Sequence, residues 1–117
     1  MNPRAGHRAH RADYLVLFVA DAADDGHADA LRDTARSLKG AGFFDDPNLG
    51  GQRTTGTYLE TESLDDPTAL ELIARVAELS AALACRIEVQ HREVILGHLV
   101  DGRPDDQLAA SLGFDGG

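Results

Sequence analysis

The stretch Tyr14-Leu-Val-Leu-Phe-Val-Ala20 is apolar at every position and is bracketed by Asp13 and Asp21. A membrane span needs about 20 apolar residues, so this run is too short to cross a bilayer. A short continuous apolar run between acids instead reads as a strand buried on both faces, and residues 14–20 are predicted to be the central strand of a sheet. The basic residues before the run and Ala20-Asp-Ala22 after it imitate a signal peptide. The flanking acids, and an apolar length at the bottom of the usual ~7–15, argue for a place in the folded domain.

Working outward, Asp24-Asp25-Gly26 supplies turn and N-cap chemistry, and Leu31, Ala35 and Leu38 follow at helical spacing. Asp29 in the first turn and Arg36 and Lys39 near the end suit the helix dipole, and Gly40 and Gly42 are expected to stop the helix. Phe43-Phe44 reads as a short extended piece entering the turn-rich Asp45-Asp46-Pro47-Asn48-Leu49-Gly50-Gly51. Thr54 to Glu62, with its threonines, Tyr58 and Leu59, favours a strand. A second helix has capping residues in Ser63 and Asp66, Pro67 where a first helical residue tolerates it, and a periodic segment to about Leu83. Its buried row is predicted to be Leu70, Ile73 and Ala77, widened by Leu72, Val76 and Leu79, with Glu71, Arg75 and Glu78 in water.

From Cys85 the period changes to two, and the apolar parity reverses after Val89. A hairpin turning near His91-Arg92, with Gln90 opposite Glu93, places Val89 against Val94, Ile87 against Leu96 and Cys85 against His98. The competing reading is a bulge in one long strand, since His-Arg lacks the glycine that two-residue turns prefer. Asp101-Gly102 is a predicted turn, and Pro104 to Leu112 a short helix stopped by Gly113, with Leu108, Leu112 and Phe114 against the sheet.

Two helices cannot evenly cover both faces of so small a sheet. The fold class expected is therefore α+β, a two-layer ferredoxin-like plait of order β-α-(β)-β-α-β-β with a short C-terminal helix; a small three-layer parallel sheet is second. The 117 residues suit one domain, taken as 13–114. Residues 1–12 read as a disordered basic arm, carrying Arg4, Arg8, Arg11, His7 and His10, and 115–117 as a frayed tail. With no Trp and 5 % aromatics, the core must be Leu, Val, Ile and Ala.

A net charge of −9, from 20 acids and 11 bases, repels phosphate backbones and anionic lipids, so neither nucleic acid nor membrane is an expected partner. The lone Cys85 rules out an internal disulfide and suits a reducing compartment, which makes the cytoplasm the expected location. The only lysine, Lys39, sits in a predicted helix rather than a phosphate-binding loop. The residues after Gly50-Gly51 lack dinucleotide-binding spacing, and neither a Cys pair nor His-Glu-x-x-His occurs for zinc. No cofactor and no metal are expected.

Three groups are candidates for chemistry. Cys85 and His98, with His91 and Glu93, are catalytic candidates, because an imidazole beside a thiol makes a nucleophile; the competing reading is an inert buried thiol and a structural histidine. Asp45, Asp46, Glu60, Glu62, Asp65 and Asp66 gather near one strand and have the oxygen chemistry for a divalent cation, but the pattern Asp-x-[Asp/Asn]-x-[Asp/Asn]-Gly is missing, and solvation and capping are the favoured account. Arg53, Thr54, Thr55 and Tyr58 are the ligand-binding candidates, Arg53 offering a guanidinium to a small anion from the 43–55 loop.

With both helices on one face, a sheet surface including Leu17 or Phe18, the Thr-rich strand, and Ile95 with Leu99 is left to be covered. The expectation is a non-catalytic protein-interaction or regulatory module, homo-oligomeric through its sheet and partnered by itself or another protein. The alternative is a small enzyme or small-ligand-binding protein using the open sheet face and the 43–55 loop.

Overall fold

The computed structural model describes residues 13–47 and 53–113. The basic arm 1–12, the loop centre 48–52, Phe114 and the 115–117 tail lie outside the described residues. The chain runs β1 (Tyr14–Val19), α1 (Asp25–Arg36), β2 (Ala41–Asp46), β3 (Thr54–Glu60), α2 (Pro67–Ala82), β4 (Ile87–His91), β5 (Val94–Val100), β6 (Arg103–Pro104) and α3 (Asp106–Ser111). The α+β class holds. The six strands form one sheet in the order β2-β3-β1-β4-β5-β6, and every neighbouring pair is antiparallel. This order differs from that of a simple plait, and the antiparallel pairing excludes the parallel alternative.

β1 lies inside the sheet, between β3 and β4, but its burial alternates. Leu15, Leu17 and Val19 enter one cluster with Leu31 of α1, Leu72 and Val76 of α2, Ile87, Val89, Leu99 and Leu108. Tyr14, Val16 and Phe18 point the other way and stay half-buried. The expected two-sided burial therefore fails, because the helices pack on one face only. Each fully buried side chain of that cluster contributes about 1.5–3 kcal/mol.

The helix starts follow local chemistry. Asp24 Oδ1 accepts the His27 N–H at 2.9 Å and His27 Nδ1 accepts the Asp24 N–H at 3.1 Å, so histidine takes the usual glutamate's part in a capping box. Ser37 caps the C-terminus, its hydroxyl donating to Thr34 O at 2.7 Å, and α1 ends ahead of the expected Gly40. At α2, Asp66 Oδ1 accepts the Thr68 N–H at 2.8 Å with Pro67 as the first helical residue. The buried row of α2 is Ala69, Leu72, Ile73, Val76 and Ser80, rotated from the expected one, and Leu70 is 42 % exposed. The rotation brings the small residues Ala69 and Ser80 inward, where Ser80 Oγ donates to Ala77 O at 2.7 Å and accepts the Gly102 N–H at 2.9 Å. That bond ties α2 to the β5–β6 turn.

The second hairpin corrects the expected register. Its turn is Arg92-Glu93, with φ of 55° and 66°, the left-handed pair a two-residue hairpin requires. His91 pairs with Val94 and Gln90 with Ile95; the register then shifts, and Val89 pairs with Gly97, Glu88 with His98 and Ile87 with Leu99. Hairpin and bulge both exist: the turn, one residue later than expected, moves each cross-strand partner by two residues and the extra residue at Leu96 adds a third, so Ile87 meets Leu99 in place of Leu96 and His98 leaves the row expected for Cys85. Cys85 precedes β4 and its N–H donates to Ser80 O at 3.1 Å.

Candidate functional site

The face of the sheet away from the helices is the candidate site. Antiparallel pairing lines its residues into rows across the strands. One row runs Gly42, Tyr58, Val16, Gln90, Ile95, and the next runs Phe44, Gly56, Phe18, Glu88, His98. Tyr14 and Tyr58 meet edge to face at 5.7 Å between ring centroids, and Phe44 stands 6.5 Å from Tyr58. Glycine makes this packing possible: a Cβ on Gly42 would sit 2.6 Å from Tyr58 Cε1, so the ring lies over the bare backbone of β2. Tyr14, Val16, Phe44 and Tyr58, with Glu93 at the turn, line a broad hollow of about 510 Å³. Farther along, Ile95 and Val100 are 49 % and 41 % exposed.

The four catalytic candidates go to separate places. Cys85 is buried, and burial with the carboxylates of Asp21 and Asp24 pushes its thiol above the ordinary range. His98 lies between two carboxylates, Nε2 at 3.6 Å from Glu88 Oε1 and Nδ1 at 3.6 Å from Asp105 Oδ2. Glu88 also accepts a 2.6 Å bond from Gln90 Nε2. His91 Nε2 donates to Thr61 O at 2.8 Å, which leaves Glu93 alone at the hollow. The thiol–imidazole pairing expected from the sequence register is absent here.

The ligand candidates divide likewise. Arg53 grips Asp45 with two bonds, Nε to Oδ1 at 3.0 Å and Nη2 to Oδ2 at 2.9 Å, and reaches Asp25 Oδ1 with Nη1 at 2.7 Å. Those bonds hold the Asp45 carboxyl below its usual range and raise the guanidinium's affinity for its proton. The fork thus clamps β2 to the start of α1. Thr54 is buried, and Thr55, also buried, donates its hydroxyl to Phe44 O at 3.1 Å. Only Tyr58 of the four contributes to the hollow. Of the acids, Asp66 caps α2, while Glu60, Glu62 and Asp66 border a second hollow with Asp13. Among the described residues, no three His, Cys, Asp or Glu side chains are grouped to hold a metal ion.

The residues missed from sequence are Tyr14, Val16 and Phe44. Their signal was present in the Tyr14, Val16, Phe18 alternation, hidden because the intervening positions are apolar too. Among the described residues no helix is long and apolar enough to cross a membrane. No protein family, curated protein or solved structure matches this chain.

Proposed function

We propose that this chain is a non-catalytic protein-interaction or regulatory module that self-associates through the open face of its sheet. The observation that carries the reading is the aromatic and aliphatic surface of Tyr14, Val16, Phe44, Tyr58 and Ile95 on the uncovered side. Tyr14, Val16, Phe44 and Tyr58 adjoin in one apolar hollow, with Ile95 beyond Gln90 in the same row, and uncovered apolar surface of this kind marks contact with another molecule. The five longer strands, β1 to β5, about 4.8 Å apart and about 20 Å long, give a face of roughly 500 Å² in projection. Side-chain relief brings that toward the ~800 Å² per partner of a stable interface. The non-catalytic part of the reading is supported by the hydrogen bonds that already occupy Arg53 and by the burial of Cys85 away from His98. In the same reading β1 to β4, with α1 and α2, repeat the β-α-β-β-α-β order of a ferredoxin-like plait, with β5 and β6 widening its edge, and the protein works in the cytoplasm.

A second reading, a small-ligand-binding protein, is favoured by one observation, the 510 Å³ hollow, which lies within the ~300–1,000 Å³ of ligand pockets. Native mass spectrometry of protein purified without chelator separates the two. The expected result is a species at twice the 12.5 kDa chain mass with nothing else bound. A strictly monomeric species overturns the module reading, and a monomer retaining a small molecule replaces it with the second.

A further inference from the structure

We infer that the self-association proposed above, on which this inference rests, is a face-to-face dimer with its two-fold axis parallel to the strands, between β1 and β4. In that arrangement β3 of each copy lies across β5 of the other, β1 across β4, and β2 across β6.

The open face is divided into unlike halves. The β2-β3-β1 half carries the aromatic hollow and the acids Asp46 and Glu60; the β4-β5-β6 half carries the projecting Ile95 and Val100, with His98, Glu88, Arg86 and Arg103. The rows run straight across from one half to the other. Tyr58 and Ile95 belong to one row, and two rows farther on Asp46 beside Thr54 marks one edge where Arg103 beside Val100 marks the other.

Two sheets packed in alignment keep their strand directions within about 30°. Only two in-plane axes do this while keeping the interface self-complementary. An axis across the strands lays each strand on its own copy, hollow on hollow, with the acidic half against itself. An axis along the strands reverses the order of each row and keeps its level. Ile95 then arrives at Tyr58 on the rim of the partner's hollow, Asp46 arrives at Arg103, Glu88 at Phe18, Tyr14 at Arg92, and Glu60 at Glu93, the one like-charged meeting. Apolar projection meets apolar concavity and Asp46 meets an opposite charge, whereas the other axis stacks hollow on hollow and turns the Asp46 end of β2 toward Glu60, which costs affinity.

The test uses the full chain with Cys85→Ala, and Tyr58→Cys or Ile95→Cys added in separate preparations, treated with a short bis-maleimide. Mixing the two preparations should yield cross-linked dimers, while Ile95→Cys alone should yield none, since its two copies stand three strands apart. Self-linking of Ile95→Cys with no link in the mixture overturns the axis while leaving self-association standing. A monomeric sedimentation profile of the unmodified protein overturns both. Charge reversal gives a reading independent of the new cysteines. Asp46→Arg or Arg103→Glu alone should weaken the dimer about 25-fold, the ~1 kcal/mol of an edge ion pair at each of the two symmetry-related edges, and the double variant should restore it. No rescue in the double variant refutes the arrangement.

Discussion

Replacing Gly97 by alanine should destabilise the fold by about 3 kcal/mol, in the lower part of the ~2–6 to which overpacking at ~1–3 and backbone strain at ~1–3 add. Gly97 lies in β5 just after the bulge with φ of 142°, a region that side chains rarely enter. A Cβ there would collide with the backbone nitrogen of Leu108 and stand 2.7 Å from both Leu108 Cβ and Asp105 Oδ1. These atoms cannot step aside cheaply. Asp105 caps α3 by accepting the Leu108 N–H at 2.9 Å, and Leu108 is fully buried in the core cluster. If α3 lifts off β5 instead, Leu108 loses its burial at a similar cost, about 1.5–3 kcal/mol. Gly113→Ala is the control, because Gly113 also has positive φ, 79°, yet among the described residues nothing lies within 4 Å of its added Cβ. It should lose only the backbone part, about 1 kcal/mol. In thermal melts at ~4 °C per kcal/mol, Gly97→Ala should fall by about 12 °C and Gly113→Ala by about 4 °C. Urea titration gives the free energies directly. Equal losses in the two variants would refute the close seating of α3 on β5.

Arg92-Glu93 holds a two-residue turn at positive φ without glycine, so replacing the pair by Asn-Gly should stabilise the protein by about 1 kcal/mol. A lower melting temperature contradicts that turn. Cys85, buried and with a raised thiol, should react slowly with iodoacetamide in the native protein and quickly once unfolded; equal rates disprove its structural role. Asp45 is held below its ordinary value of 3.8 first by the Arg53 hydrogen bonds, so its stabilisation is complete above that value and is lost as pH falls through the lower, folded one. Urea midpoints should therefore drop below about pH 4, and Asp45→Asn should be weaker at neutral pH with a shallower acid limb; a parallel pH profile rules the clamp out as a contributor.

What was legible in the sequence was legible locally. Asp66-Pro67 starts a helix because a carboxylate two residues from an amide needs no tertiary partner, and Asp24 acts in the same way. The burial of β1 differs from the expectation because polarity cannot distinguish a strand covered on both faces from one whose second face is itself an apolar surface. Tyr14, Val16 and Phe18 look like core and are only half-buried. The hairpin's parity reversal was visible between Val89 and Val94, but one reversal has two causes, a turn or a bulge, and here both occur. Together they shift the register by three residues, which separates Cys85 from His98. Arg53 was misleading for another reason: its partners Asp45 and Asp25 stand 8 and 28 residues away, so its clamp belongs to the tertiary fold. The seating of Tyr58 over Gly42 is equally non-local, since nothing in either segment names the other.

Sedimentation velocity of Ile95→Asp beside Leu70→Asp tests the central claim most directly. The two side chains are similarly exposed, 49 % and 42 %, with Ile95 on the open sheet face and Leu70 on α2, so the charge disturbs folding equally little in each. The wild type and Leu70→Asp should sediment as dimers across the micromolar range, and Ile95→Asp as a monomer with unchanged thermal stability. An Ile95→Asp variant that dimerises like the wild type, or a Leu70→Asp variant that alone becomes monomeric, would contradict the assignment of the open sheet face as the surface of association.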